Sequence, residues 1–258
     1  MKRLVINADD FGFTPDVNAG IIHAHLQGVL TATTLMANGD AFDDAVRLAR
    51  ETPTLDIGCH LVLVQGVSLV TGRPLPETAR ELLIALSRRR IDVYEELRAQ
   101  VKKILSTGLR PTHLDSHKHT HALPSVFRVV LRIAHEFGIA YVRLPFDATL
   151  PFARVPLRLA RRRYCRWTRG YNVSMTDHFT GFRLTGWLTE ETLAAAICSL
   201  RDGLTEFMCH PGFLGPSLLQ ARTRLKESRL REVEALTSPR IRQLIAAQSV
   251  QLENFSGR

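Results

Sequence analysis

Cysteine is scarce in this chain: Cys59, Cys165, Cys198 and Cys209 lie far apart with no CxxC pair among them. That spacing argues against a disulfide scaffold and against a cysteine-built zinc site. Long apolar runs are missing too, so no stretch reads as a membrane span. The opening Met1-Lys2-Arg3 offers only Leu4-Val5-Ile6 before Asn7, Asp9 and Asp10, which is not the pattern of a secretory signal. Internal repeats and low-complexity tracts are absent. These absences lead to an expectation of a cytoplasmic protein in a reducing compartment.

Acidic residues are the minority charge, with 25 Asp+Glu against 34 Lys+Arg and a net charge of +9. Much of the excess falls in 154–169, where Leu157, Leu159, Tyr164 and Trp167 are interleaved among arginines. The plainest reading is a solvated basic helix or loop. The next is a patch drawn to anionic lipid, giving peripheral contact with the inner membrane face through 154–171. No nucleic-acid-binding motif accompanies the patch, so no nucleic-acid partner is expected. A homodimer stays open.

The remainder is ordinary globular material. A chain of 258 residues, 45% hydrophobic and 23% charged, can bury one substantial core, and 1–258 is read as a single domain. Apolar runs and helical spacing alternate. Strands are predicted at 3–8, 31–36, 57–64, 112–116, 141–144 and 206–209, and helices at 17–27, 41–51, 93–106, 125–137, 229–236 and 239–247. Strands separated by helices imply a parallel sheet, and this many units favour closure into an α/β barrel. Two stretches break the rhythm and read as insertions on the active-site face. One lies near 65–90, turn-rich through Gly66, Gly72, Pro74 and Pro76; the other is 145–172, long and basic.

The chemistry gathers where strands end. Asn7-Ala8-Asp9-Asp10-Phe11-Gly12 places two carboxylates after the first strand, although standing alone it reads first as a turn and helix N-cap. Gly58-Cys59-His60-Leu61-Val62-Leu63 holds one strand histidine, a type more often buried and bonded than metal-bound. Thr112 to His121 changes the balance, because His113, Asp115, His117, His119 and His121 recur at every second position and would share one side of a continuing strand. Burying four unpartnered imidazoles together is costly, and metal binding is the natural alternative. Met208-Cys209-His210-Pro211-Gly212 adds a histidine at a late strand end. Together these ends form the kit of a one-metal hydrolase.

These four motifs, in this order, resemble the YdjC-like carbohydrate deacetylases, a family that includes enzymes of chitooligosaccharides and of N-acetylglucosaminyl hopanoids. The resemblance runs through nearly the whole chain, with weaker echoes at 28–34 and 176–179. It implies a distorted TIM-like (β/α) barrel similar to polysaccharide deacetylases, and removal of an acetyl group from an N-acetylated sugar. It also implies one divalent metal on Asp10, His60 and His117, with Asp9 as general base and His210 as the acid. Magnesium is the ion associated with the family; two imidazoles and one carboxylate would suit zinc or another transition metal by ligand type. Arg143 is expected to steady Asp9 or bind substrate, with a capping or surface arginine as the equal alternative, and His119 and His121 to support the ligands or touch the sugar. The rival readings are a metal-dependent phosphoesterase or other amidohydrolase, and a carbohydrate- or lipid-binding protein without activity.

Overall fold

The computed structural model describes residues 1–144, 146–147 and 154–257, and of 154–160 only the helical path. Residue 145 and residues 148–153 of the expected second insertion, with the side chains of Leu157 and Leu159, lie outside the described residues.

The first strand, β1 (Lys2–Phe11), is buried at every position from Leu4 onward, as a central parallel strand covered on both faces should be. Thr14 then caps α1 (Pro15–Leu26) by accepting from the Val17 amide, with Pro15 preset for the first turn. There follow β2 (Ala32–Leu35), α2 (Phe42–Glu51), β3 (Asp56–Leu61), α3 (Ala79–Ser87), α4 (Val93–Ser106) and β4 (His113–Ser116). Next come α5 (Pro124–Glu136), β5 (Tyr141–Val142), α6 (Arg154–Arg169), β6 (His178–Thr180), α7 (Glu190–Cys198) and β7 (Gly203–Cys209). The chain closes with α8 (Pro216–Gln220), α9 (Glu227–Thr237), α10 (Pro239–Ala247) and β8 (Gln251–Leu252). Helix α2 shows why the pattern was legible: Phe42, Ala45, Val46 and Ala49 are its buried residues, at the spacing of one helical face.

All named strand pairs are parallel, in the order β5-β4-β3-β2-β1-β7-β6, with β8 pairing β1 beside its first residues. The sheet curls so that β5 and β6 approach each other. Across that seam a single bridge, Tyr141 to Ser174, replaces a ladder, and the expected α/β barrel is therefore distorted.

Strand alternation divides the side chains into two compartments. Ile6, Ala8, Leu35, Cys59, Leu61, Leu114, Phe207 and Cys209 belong to the main core between sheet and helices. The opposite faces meet inside the curl. Val5, Ala32, Leu204 and Phe255 form an apolar plug there. Beyond the plug the interior is polar, holding Asn7, Asp9, Thr34, His60, His113, Asp115, Arg143 and Glu206, all buried. A lining of that kind must satisfy itself by pairing.

Residues 65–90 hold a helix that the sequence pattern did not predict, since α3 occupies 79–87. Two expectations need correction. Described residues of 145–172 are mostly the helix α6, not an irregular stretch. The histidine tract does not continue as a strand: β4 stops at Ser116, and Lys118 and His119 take left-handed conformations, both at φ 52, within a 3-10 turn. Period two therefore holds only for His113 and Asp115.

Candidate active site

The carboxyl ends of β1, β3, β4 and β7 converge on one cavity of about 820 Å³. A regular strand would send neighbouring Asp9 and Asp10 to opposite faces. Here the β1–β2 register slips between Ala8 and Phe11, and Asp10 sits in the left-handed region at φ 70. The bulge turns both carboxylates toward the cavity. Such a backbone costs a non-glycine residue on the order of 1–3 kcal/mol. Its surroundings hold it there: the Asp10 carbonyl accepts from Phe13 N, Gly12 N donates to Asn18 Oδ1, and Arg229 donates to Asp10 Oδ2 at 2.5 Å.

The other Asp10 oxygen, Oδ1, faces two imidazoles. It lies 3.0 Å from His117 Nδ1 and 3.3 Å from His60 Nε2, and those nitrogens are 3.3 Å apart. Metal–ligand bonds of about 2.0–2.2 Å imply ligand separations of about 2.8–3.6 Å, depending on whether the sphere is octahedral or tetrahedral. The three observed edges fall inside that range, and the donor set fits a divalent ion.

The remaining imidazole nitrogens are held by neighbours. His60 Nδ1 donates to Asp115 Oδ1 at 2.7 Å, and Asp115 Oδ2 accepts from Thr34 Oγ1 at 3.0 Å. His117 Nε2 stands 3.3 Å from Gln65 Oε1. A carboxylate behind a histidine orients the ring and raises its basicity toward a metal. Burial alone would push the His60 pKa down, but Asp115, Asp10 and Asp9 outweigh it and lift the group to about 10. The field that keeps a proton on this ring is one that favours any cation at the same place. Burial would push the Asp10 carboxyl up, yet Arg229 and the two histidines hold it well below the usual range.

Asp9 has a different set of partners. Arg143 donates to both its oxygens, at 2.9 and 2.7 Å, and Asn7 Nδ2 donates at 3.2 Å. Burial opposes ionisation of Asp9, but the guanidinium wins and keeps it a carboxylate. Arg143 also reaches Asp115 at 2.8 Å and Glu206 at 2.7 Å, with its side chain fully buried. Of its two expected roles, the geometry therefore supports steadying Asp9; Arg143 does not line the cavity. His210 Nε2 stands 3.9 Å from Asp9 Oδ2, and burial brings its pKa down to about 4 against the pull of Asp9.

The other histidines separate. His113 is bonded to Asn7 and stacked on Phe255 at 4.0 Å, over Gly58, where any Cβ would strike the ring at 2.6 Å. His121 is buried against Ser116 Oγ and misses the cavity, so sugar contact through it is not supported. His119 does line the cavity, edge-on to Phe182 at 4.8 Å.

Sequence reading missed several groups of the site. Arg229 and Glu232 come from α9, where Glu232 accepts the His210 amide at 2.5 Å. Phe182 and Trp187 stand at the mouth, 44% and 74% exposed. No motif marked them; only the exposed tryptophan in a turn-rich stretch carried a signal.

A family model described as YdjC-like protein matches residues 3–247. The chain belongs to the YdjC-like family. Relatives within reach include a protein named carbohydrate deacetylase from Brevibacillus brevis, 35% identical over 98% of both chains. Another of the same name, from Geobacillus stearothermophilus, is 34% identical over 98% of this chain and 97% of its own. Among solved structures, a protein of Enterococcus faecalis V583 provisionally assigned to cellobiose-phosphate cleavage superposes with a TM-score of 0.81, at 28% identity over 99% and 98% of the two chains. A T48 deacetylase solved with substrate shares the fold at a TM-score of 0.50 and 12% identity, over 99% of this chain and 89% of that one. YdjC-like membership thus agrees with the resemblance carried by the four strand-end motifs.

Proposed function

We propose that the chain is a carbohydrate N-deacetylase that hydrolyses the acetamide of an N-acetylglucosamine-containing oligosaccharide or glycolipid. The observation that carries this reading is the convergence of Asp10 Oδ1, His60 Nε2 and His117 Nδ1 beside an arginine-held carboxylate, in a chain whose relatives are named carbohydrate deacetylases. Asp10, His60 and His117 would hold one divalent ion, and two imidazoles with one carboxylate suit zinc or another transition metal better than magnesium. When bound, such an ion supplies Lewis-acid polarisation of the carbonyl and a water of lowered pKa.

The chain's own residues manage the protons. Amide hydrolysis adds water oxygen to the acetyl carbon, breaks the C–N bond and leaves an amine that must gain a proton. Asp9, ionised and fixed by Arg143, is the acceptor for the water proton. His210 is neutral at rest because burial lowers its pKa to about 4. The proton it delivers to nitrogen must therefore be taken up during turnover, and because Asp9 Oδ2 lies 3.9 Å away, beyond direct hydrogen-bond reach, transfer from Asp9 would run through a bridging water or the substrate. Correctly placed, each proton-transfer group is worth about a hundredfold or more in rate. Phe182 and Trp187 offer flat apolar faces at the mouth, suited to the C–H face of a sugar ring, and His119 offers a neutral imidazole beside them.

Peripheral membrane contact is part of the proposal, and the surface supports it only in part. Among the described residues no helix is long and apolar enough to cross a membrane. Arg161, Arg162, Arg163, Arg166 and Arg169 are exposed on α6, a face fit for peripheral contact with anionic lipid. Trp167 would not insert, because it packs between Tyr164 and Phe127 at 5.0 and 6.3 Å. The deciding experiment is to incubate metal-loaded protein with N-acetylglucosamine oligomers and with an N-acetylglucosaminyl lipid, then measure acetate and product mass. Loss of one acetyl group per product is expected; release of phosphate from a phosphosugar, with no acetate from any acetamido sugar, would replace this reading with the phosphoesterase one.

A further inference from the structure

Arg229 lies inside the site, yet it belongs neither to the proposed ligand set nor to the pair of proton-transfer groups. Its side chain is 2% exposed, and its terminal nitrogen donates to Asp10 Oδ2 at 2.5 Å. A second nitrogen reaches the His210 carbonyl at 3.4 Å, and its own carbonyl accepts from the Gly212 amide. Asp10 therefore has one oxygen claimed by a guanidinium and one turned to His60 Nε2 and His117 Nδ1.

A buried cation so close to a cation-binding centre is a cost in electrostatic terms, since it repels any metal placed on Asp10 Oδ1. Something must be gained in return. A carboxylate is able to bind a metal through both oxygens, and a catalytic site needs a coordination place left for water or substrate. By occupying Oδ2, the guanidinium removes the second oxygen from competition. The left-handed backbone of Asp10 shows how closely the orientation of this carboxylate is controlled.

We propose that Arg229 is a positioning residue that restricts Asp10 to one metal-facing oxygen and so keeps a coordination place open for the reaction. The proposal rests on the metal reading above. Helix α9 thereby serves both sides of the centre, with Arg229 on Asp10 and Glu232 on the His210 amide.

The test uses the full-length protein and cobalt(II), whose visible absorption is strong in four-coordinate sites and weaker as ligands are added. In Arg229→Gln, freeing Oδ2 should tighten cobalt binding and weaken the visible band, while turnover falls about 10–100-fold. A tighter site with reduced activity is not what a merely structural arginine would produce, because loosening the site lowers both. Folded Arg229→Gln protein with weaker or unchanged affinity would overturn the proposal. So would tighter binding with an unaltered band, which would signal relief of charge repulsion alone. Should Arg229→Gln not fold, Arg229→Lys carries the test: its cobalt affinity should exceed the parent's and its visible band should be weaker than the parent's, and affinity equal to or below the parent's overturns the idea. A parent protein that binds no cobalt, or binds it equally well as His117→Ala, would remove the metal reading itself. Binding by the parent without the Arg229 effect removes only the role of the arginine.

Discussion

Replacing Asp115 with asparagine probes the support behind His60 without touching any proposed ligand. Asp115 accepts through both oxygens: Oδ1 from His60 Nδ1 at 2.7 Å, and Oδ2 from Arg143 at 2.8 Å and Thr34 at 3.0 Å. An amide has a single acceptor oxygen. The side chain introduced by Asp115→Asn must therefore present its NH2 either to the His60 N–H or to the guanidinium, and one buried donor is left facing another. The unsatisfied donor costs about 1–3 kcal/mol, more where it is charged. Arg143 retains Asp9 and Glu206, so the fold should survive with a lowered melting temperature. The ring of His60 loses its fixed tautomer and part of its basicity, and loss of such a partner typically weakens metal affinity by about 10–100-fold, or ~1.4–2.7 kcal/mol. Isothermal titration with zinc against a competing chelator, together with a thermal melt, measures both effects. A folded Asp115→Asn protein whose zinc affinity lies within about threefold of the parent's would refute the reasoning, since it would mean that the Asp115–His60 contact does not tune the proposed ligand.

The two neighbouring carboxylates should fail differently: Asp10→Asn loses metal, whereas Asp9→Asn keeps metal and loses turnover, and the reverse pattern by metal analysis and steady-state kinetics would exchange their roles. Stability should carry a pH signature from Glu232, whose carboxyl burial pushes up to about 7 from an ordinary 4.5. A raised carboxyl pKa stabilises the fold at low pH. That contribution is lost as pH climbs from about 4.5 through about 7, by on the order of 3 kcal/mol. Glu232→Gln keeps an oxygen for the His210 amide and should gain stability relative to the parent over that window; parallel pH–stability curves would dispose of the assignment. At the surface, basic residues near anionic lipid are worth about 1 kcal/mol each, so salt-sensitive vesicle binding should vanish when Arg161, Arg162 and Arg163 become Glu. Failure of the unmodified protein to co-sediment with anionic vesicles at low salt would end the membrane proposal.

Much of this molecule was determined locally, and local patterns are legible in a sequence. The alternation of apolar runs with helical spacing defined a parallel α/β sheet, and α4 and α10 fall on their expected residues because their apolar faces repeat at helical intervals. Asp9, Asp10, His60, His117 and His210 were visible because each ends a strand run, and parallel strands bring their carboxyl ends to one side of a sheet. Other elements went unread: α3, α7 and the three-residue β6 were missed. What only the tertiary structure decided is which of these side chains meet. The bulge that turns Asp10 beside Asp9 is a register slip against β2, and register belongs to a pair of strands rather than to either one. Arg143 lies 134 residues from Asp9, and Arg229 lies 219 from Asp10, separations at which no spacing rule operates. On paper, Asp9, Asp10, Asp115 and Glu206 can be matched with Arg143 and Arg229 in many ways. In the folded chain the cost of leaving any buried charge unpaired selects one arrangement, and that selection acts through space, where the sequence has no coordinate.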